Sequence, residues 1–190
     1  MNKNQTRGFT LIELLITIGI VGIIAMVGIP SFSNSIKKNS VAASINNIQT
    51  TLIQARGEAV TQNITVSICS SDDQATCSGT WSDGWIVFSD ENEDGTIDAG
   101  DLDKLLHVAG ELKADNELRL VAGTAGIIQY QSTGYSDQTG VFISCPADDD
   151  TSYSRALIVS SSGMVRKSRD SNSNGIHEDN QSPAVDLTCP

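Results

Sequence analysis

"RGFTLIELLITIGIVGIIAMVGIP", residues 7–30, decides how the rest of the chain is read. From Phe9 to Ile29 it runs for 21 residues with a single formal charge, Glu13, near its start. A helix rises about 1.5 Å per residue, so the stretch covers about 30 Å, the thickness of a bilayer's hydrocarbon core. Lys3 and Arg7 precede it. Basic residues stay on the cytoplasmic side of a membrane helix, so the chain beyond residue 30 is expected to face outward. A cleavable secretory signal would need an apolar stretch of only about 7–15 residues and a small-residue cleavage step. Here the stretch is longer and holds a carboxylate. At membrane depth that group costs about 2.5–3.5 kcal/mol on insertion scales, and such groups are kept where they have a partner.

The chain has 190 residues, of which 39% are apolar, with 23 acidic against 12 basic residues and a formal net charge of −11. The apolar share is enough for a core, and the chain beyond the oily segment amounts to about one domain. The acidic balance disfavours a strongly electrostatic nucleic-acid binder. Pro30 is expected to kink the helix or end its first part. Helical spacing then resumes from Ser31 to Gln62 through Ile36, Val41, Ile45, Ile48, Leu52, Ile53 and Val60, the pattern of an amphipathic stalk with one face for a sheet. After Asn63 the period changes to two. Ile64–Cys69, Gly84–Asp90, Ile127–Gln131, Gly140–Cys145 and Arg155–Gly163 read as strands separated by Gly, Asp and Ser turns. A long helix leading into antiparallel sheet makes the fold α+β.

Cys69, Cys77, Cys145 and Cys189 lack metal-ligand spacing, and four cysteines allow three pairings. Local pairing plus a staple on the tail, Cys69–Cys77 with Cys145–Cys189, is the simplest of the three. It requires an oxidising compartment, and four reduced thiols are the alternative.

Residues Gly8 to Leu15, "GFTLIELL", resemble the signature of type IV prepilins and type II secretion pseudopilins. The resemblance implies that a prepilin peptidase cuts between Gly8 and Phe9, that Phe9 becomes methylated, and that Glu13 meets the N-terminal amine of a neighbouring subunit. It also places Pro30 where many members bend the helix. "LIQARGEAVTQN" (Leu52–Asn63) and "WSDGWIVF" (Trp81–Phe88) resemble the GspH and FimT/FimU branch. The expected organisation is a leader at 1–8, a transmembrane and filament-core helix at 9–30, a stalk helix at 31–62 and a periplasmic β-domain at 63–190. The implied partners are other pilins or pseudopilins, the prepilin peptidase and an inner-membrane assembly platform. The implied role is that of a minor pilin priming a type IV pilus at its tip, with a secretion pseudopilin or a DNA-uptake subunit as alternatives.

Two further patterns carry chemistry. "DENEDGTIDAGD" puts Asp90, Asn92, Asp94, Gly95, Thr96, Asp98 and Asp101 at positions 1, 3, 5, 6, 7, 9 and 12 of a calcium loop. The alternate oxygens of such a loop converge on one hard cation. Asp101 stands where a longer glutamate is usual, and the metal-free reading is an Asx- and Gly-rich turn. Asp170, Asn172, Asn174 and Gly175 copy the first half of the spacing, but position 12 is neutral Gln181, so a flexible loop is expected there. Arg166, Lys167 and Arg169 form a basic cluster that follows a strand near the C-terminus. It resembles the Gly-Arg-x-Arg motif of DNA-binding FimT-like pilins at Gly163 and Arg166 and departs from it at Met164. His107 and His177 are the only histidines and lie in no catalytic motif, which leaves an enzyme the least supported class.

Overall fold

The computed structural model describes residues 9–97, 103–112, 116–121, 126–179 and 185–189, with the side chains of 27–30 excepted. Helix α1 spans Leu11–Gln62. Thr10 caps it, its hydroxyl accepting the Glu13 amide at 3.3 Å and its carbonyl accepting that of Leu14 at 3.2 Å. The helix continues unbroken past Pro30 and does not end there, an end being one of the two outcomes expected. The chain divides into two compact units at Lys37/Lys38.

The second unit is built on the end of α1. Val41, Ile45, Ile48, Leu52, Ala55 and Ala59 are buried, a single stripe with alternating steps of four and three residues. The expected face included Ile53 and Val60, yet these are about half exposed, as is Ile36 in the first unit. Two alanines take the inner positions, and their small side chains suit a helix lying close to a sheet.

Eight strands come after the helix: β1 (Val66–Ser70), β2 (Trp85–Ser89), β3 (Lys104–Ala109), β4 (Glu117–Val121), β5 (Ile127–Tyr130), β6 (Gly140–Cys145), β7 (Arg155–Val159) and β8 (Val165–Lys167). They form two four-stranded sheets, in the orders β3-β2-β1-β5 and β4-β6-β7-β8, and every pairing is antiparallel. Sequence patterning locates β1, β2, β5, β6 and β7 and misses β3, β4 and β8.

Both sheets meet the α1 stripe in one core. Val66, Ile68, Trp85, Val87, Ile128 and Tyr130 come from the first sheet, and Leu118, Phe142, Leu157 and Val159 from the second. Trp81 closes the core edge-on to Phe142, with ring centroids 4.7 Å apart. The Trp85 indole N–H donates to Thr51 Oγ1 at 3.1 Å, satisfying the one polar atom of a fully buried ring.

The outer faces are covered as well. On the first sheet Cys69, Ile86 and Phe88 lie beneath Cys77 and Ile97. On the second, Val141, Ile143 and Cys145 lie beneath Leu187 and Cys189. The disulfides Cys69–Cys77 and Cys145–Cys189 fasten these covers, one to each sheet.

Candidate functional site

The first unit presents an uncovered apolar surface. Phe9 and Met26 are each 82% exposed, and every large apolar side chain described between them is more than half exposed. Water does not tolerate such a surface, and the helix is long and apolar enough to cross a membrane. Glu13 is the only charge between Phe9 and Met26, on the first helical turn, where the helix dipole favours a carboxylate. Gly8, the residue before the expected cut, lies outside the described residues. Pro30 lies within the helix, its side chain undescribed.

Two turns of the β-domain are locked to α1 by Arg56. Its Nε donates to the Gly134 carbonyl at 2.8 Å and its Nη2 to that of Ser162 at 3.2 Å. Gly134 and Gly163 both have positive φ, and a Cβ at Gly163 would come within 2.0 Å of the Gly134 carbonyl oxygen. In the sequence the Ala-Arg pair of "LIQARGEA" carries only a family resemblance. Its structural work, joining the β5–β6 and β7–β8 turns to the helix, escapes sequence reasoning, because nothing local pairs an arginine with turns so far along the chain.

The basic cluster is divided. Arg166 and Lys167 follow β7 and belong to β8, an edge strand. Lys167 Nζ donates to Asn46 Oδ1 of α1 at 2.6 Å, whereas Arg166 is exposed and the Arg169 backbone forms an antiparallel bridge with Glu178. Alternation along β8 puts neighbouring cations on opposite faces, so the three do not form one phosphate-facing patch.

Asp90, Asn92, Asp94 and Thr96 gather in the turn after β2, whereas Asp98 and Asp101 lie outside the described residues. Asp94 Oδ1 accepts the amide and hydroxyl of Thr96 at 2.8 and 2.7 Å, and its Oδ2 accepts Asn92 Nδ2 at 2.9 Å. The Thr96 bonds, with the Asn92 contact behind them, hold the Asp94 carboxyl below its ordinary pKa. Among the described residues no three His, Cys, Asp or Glu side chains converge as a metal cluster.

The later turn is ordered by the same kind of bonds. Gly175 N–H meets Asp170 Oδ2 at 3.0 Å and Asn174 N–H meets Asn172 Oδ1 at 2.9 Å, while Gln181 lies outside the described residues. His177 beside it shares a 3.0 Å hydrogen bond with Ser168. His107 is exposed on β3.

An uncovered apolar stretch of helix, followed along the chain by a β-domain packed on one face of the helix's second half, defines a membrane-anchored, pilin-like subunit. The chain belongs to the GspH family, described as type II transport protein GspH, which it matches over residues 44–163. Residues 3–29 match the prokaryotic N-terminal methylation motif. Prepilin peptidase-dependent protein D of Escherichia coli (strain K12) is 49% identical over 35 residues, 18% of this chain and 24% of that protein. A type IV major fimbrial protein FimA of Dichelobacter nodosus is 31% identical over 77 residues, 40% of this chain and 45% of that protein. The chain thus spans about a quarter to under half the length of these curated relatives. The crystal structure of the type IV minor pilin FimU of Pseudomonas aeruginosa has the same fold, with a TM-score of 0.52 at 19% identity over 67% of this chain and 87% of that one.

Proposed function

We propose that the chain is made as a precursor, cut between Gly8 and Phe9 by a prepilin peptidase and methylated on Phe9. Residues 9–29 then hold it as a single pass in the bacterial inner membrane, with the β-domain in the periplasm. From there an assembly platform adds it as a minor pilin at the tip of a type IV pilus, where it primes growth. The observation that carries this reading is the exposed, mainly apolar run from Phe9 to Met26, whose one charge is Glu13 and which precedes a well-packed domain. Helices of neighbouring subunits would cover that run as lipid does, and an amine from the next subunit would give Glu13 the partner that a carboxylate at this depth requires.

The description of the family as a type II transport protein favours a second reading, a subunit of a secretion pseudopilus with the same anchoring and processing. DNA uptake through Arg166, Lys167 and Arg169 has less support, since Lys167 is engaged with Asn46.

Intact-mass measurement with N-terminal fragmentation, on protein from its host's membranes, is expected to show loss of residues 1–8 and a methylated Phe9. An uncut chain, or a cut near Pro30, would overturn the reading. Glu13→Ala is expected to be inserted and processed yet to drop out of sheared filaments, and normal incorporation would count against the assembly role. Deleting the gene separates the two machines, as loss of pili marks the first and loss of an exported enzyme the second.

A further inference from the structure

We propose that the turn between β2 and β3, from Asp90 to Thr96 with Asp103 beside it, is a calcium site. Asp90 is fully buried. Its Oδ2 accepts three hydrogen bonds, from Ser67 Oγ at 2.5 Å, Gln129 Nε2 at 2.9 Å and the Gly95 amide at 3.0 Å. All three donors are neutral. Its Oδ1 is equally buried and has no partner. Gly95 reaches the carboxylate from across the turn, which leaves the other oxygen unanswered. Gly95 itself is fixed by a φ of +77° and by Ile127, whose Cδ1 would lie 2.2 Å from any added Cβ.

Asp103 repeats the pattern at the same place. Its Oδ1 accepts the Glu91 amide at 3.0 Å, while its Oδ2 is buried without a partner. Buried carboxylate oxygens are rarely left unpaired, because their hydration is lost with nothing in exchange. One orphaned oxygen in the turn and one on the residue beside it call for positive charge, which a dication would supply.

The remaining donors around the turn are oxygens of mixed kind: the Asp94 carboxylate, the Asn92 amide and the Thr96 carbonyl. Calcium accepts such a set in flexible geometry, whereas magnesium demands a near-octahedral shell and gives up water reluctantly. The carboxylates of Asp90, Asp94 and Asp103 do not converge in this arrangement, and Asn92 and Asp94 bond to each other at 2.9 Å, so the ion would have to draw Asp94 in and replace that contact to close the turn. The site is therefore expected in the weak class of extracellular modules, with Kd about 10⁻⁴–10⁻³ M.

The turn from Asp170 to Ile176 serves as an internal contrast. There too the first aspartate keeps one buried, unpartnered oxygen, Asp170 Oδ1. But the Arg155 guanidinium lies close enough to feel the Asp170 charge. Among the described residues no second orphaned carboxylate oxygen stands beside that turn, and calcium is assigned to the Asp90 turn alone.

The full chain in detergent, freed of metal by chelation, tests this through equilibrium dialysis against radioactive calcium and through thermal melts with and without millimolar CaCl2. The native chain is expected to bind calcium and to melt several degrees higher with it. Asp94→Ala alters an exposed side chain and is expected to abolish both effects. Asp103→Asn keeps the acceptor for Glu91 but loses the charge, and is expected to weaken binding about tenfold. Asn174→Ala, in the other turn, is expected to leave binding and the shift unchanged. Absence of bound calcium on the native chain would overturn the assignment, as would binding that survives Asp94→Ala or is lost in Asn174→Ala.

Discussion

His177 shows how a single side chain can register pH through its surroundings. Burial lowers its pKa below the ordinary imidazole value, and the Arg155 guanidinium adds to this, while Ser168, Asp170 and Glu178 pull the other way. The unfolded ring takes up a proton near pH 6.5, the folded one only at lower pH. The stability it contributes is therefore whole above about pH 6.5 and is lost as pH falls through the depressed folded value. The melting temperature is expected to fall between pH 7 and pH 5, and His177→Gln is expected to flatten that slope. Equal slopes in the two proteins would show that other groups set the response. The sequence offers only a lone histidine near a turn. Its neighbours come from β7, from the segment after β8 and from its own turn, and local spacing cannot reveal such a gathering.

At the scale of elements, the helix stripe makes a sharp distinction between adjacent residues. Leu52 is fully buried between the sheets, and Leu52→Ala is expected to cost about 2–5 kcal/mol in chemical denaturation. Ile53 is 55% exposed, and Ile53→Ala is expected to fall within about 0.5 kcal/mol of the native chain. Similar losses at both positions would mean that the helix packs on another face. The helix as a whole is legible from its period, but its inner face is not, because bulk outweighs position in such a reading and Ala55 and Ala59 carry little bulk. Central strands are legible too, since β1, β2 and β6 are closed on both faces and are rich in Ile, Val and Phe. The missed strands, β3, β4 and β8, all lie at sheet edges. An edge strand needs to bury only part of its surface, and charge there discourages unwanted pairing. "KLLHVA", "ELRLV" and "VRK" therefore read as loop or as a basic cluster. The spacing of the Asp90 turn matches a cation loop, yet the orphaned oxygen of Asp90 arises from that residue's burial against β1 and β5, which spacing does not encode.

For the whole molecule, the two disulfides do unequal work. Each fastens a cover to the outer face of a sheet, but Cys69–Cys77 closes a separation of 8 residues and Cys145–Cys189 one of 44. In the chain-entropy account the longer closure is worth about 1.5 kcal/mol more. Cys145→Ser with Cys189→Ser is expected to lower the melting temperature by roughly 5–15 °C, and by more than Cys69→Ser with Cys77→Ser does. Equal shifts would mean that strain or contacts in the covers, rather than loop length, set the contribution.

The Arg56 contacts have a mechanical meaning. One guanidinium grips the carbonyls of two turns, one joining the two sheets and one within the second, and on another side of the helix the Thr51 hydroxyl is pinned by the Trp85 indole. Together they act as a keyway: to slip one residue along its axis, the stretch from Lys38 to Gln62 would have to turn by about 100°, breaking every pin at once. A torque applied to this stretch would therefore reach the β-domain without backlash, so the head turns with its shaft as a single cog.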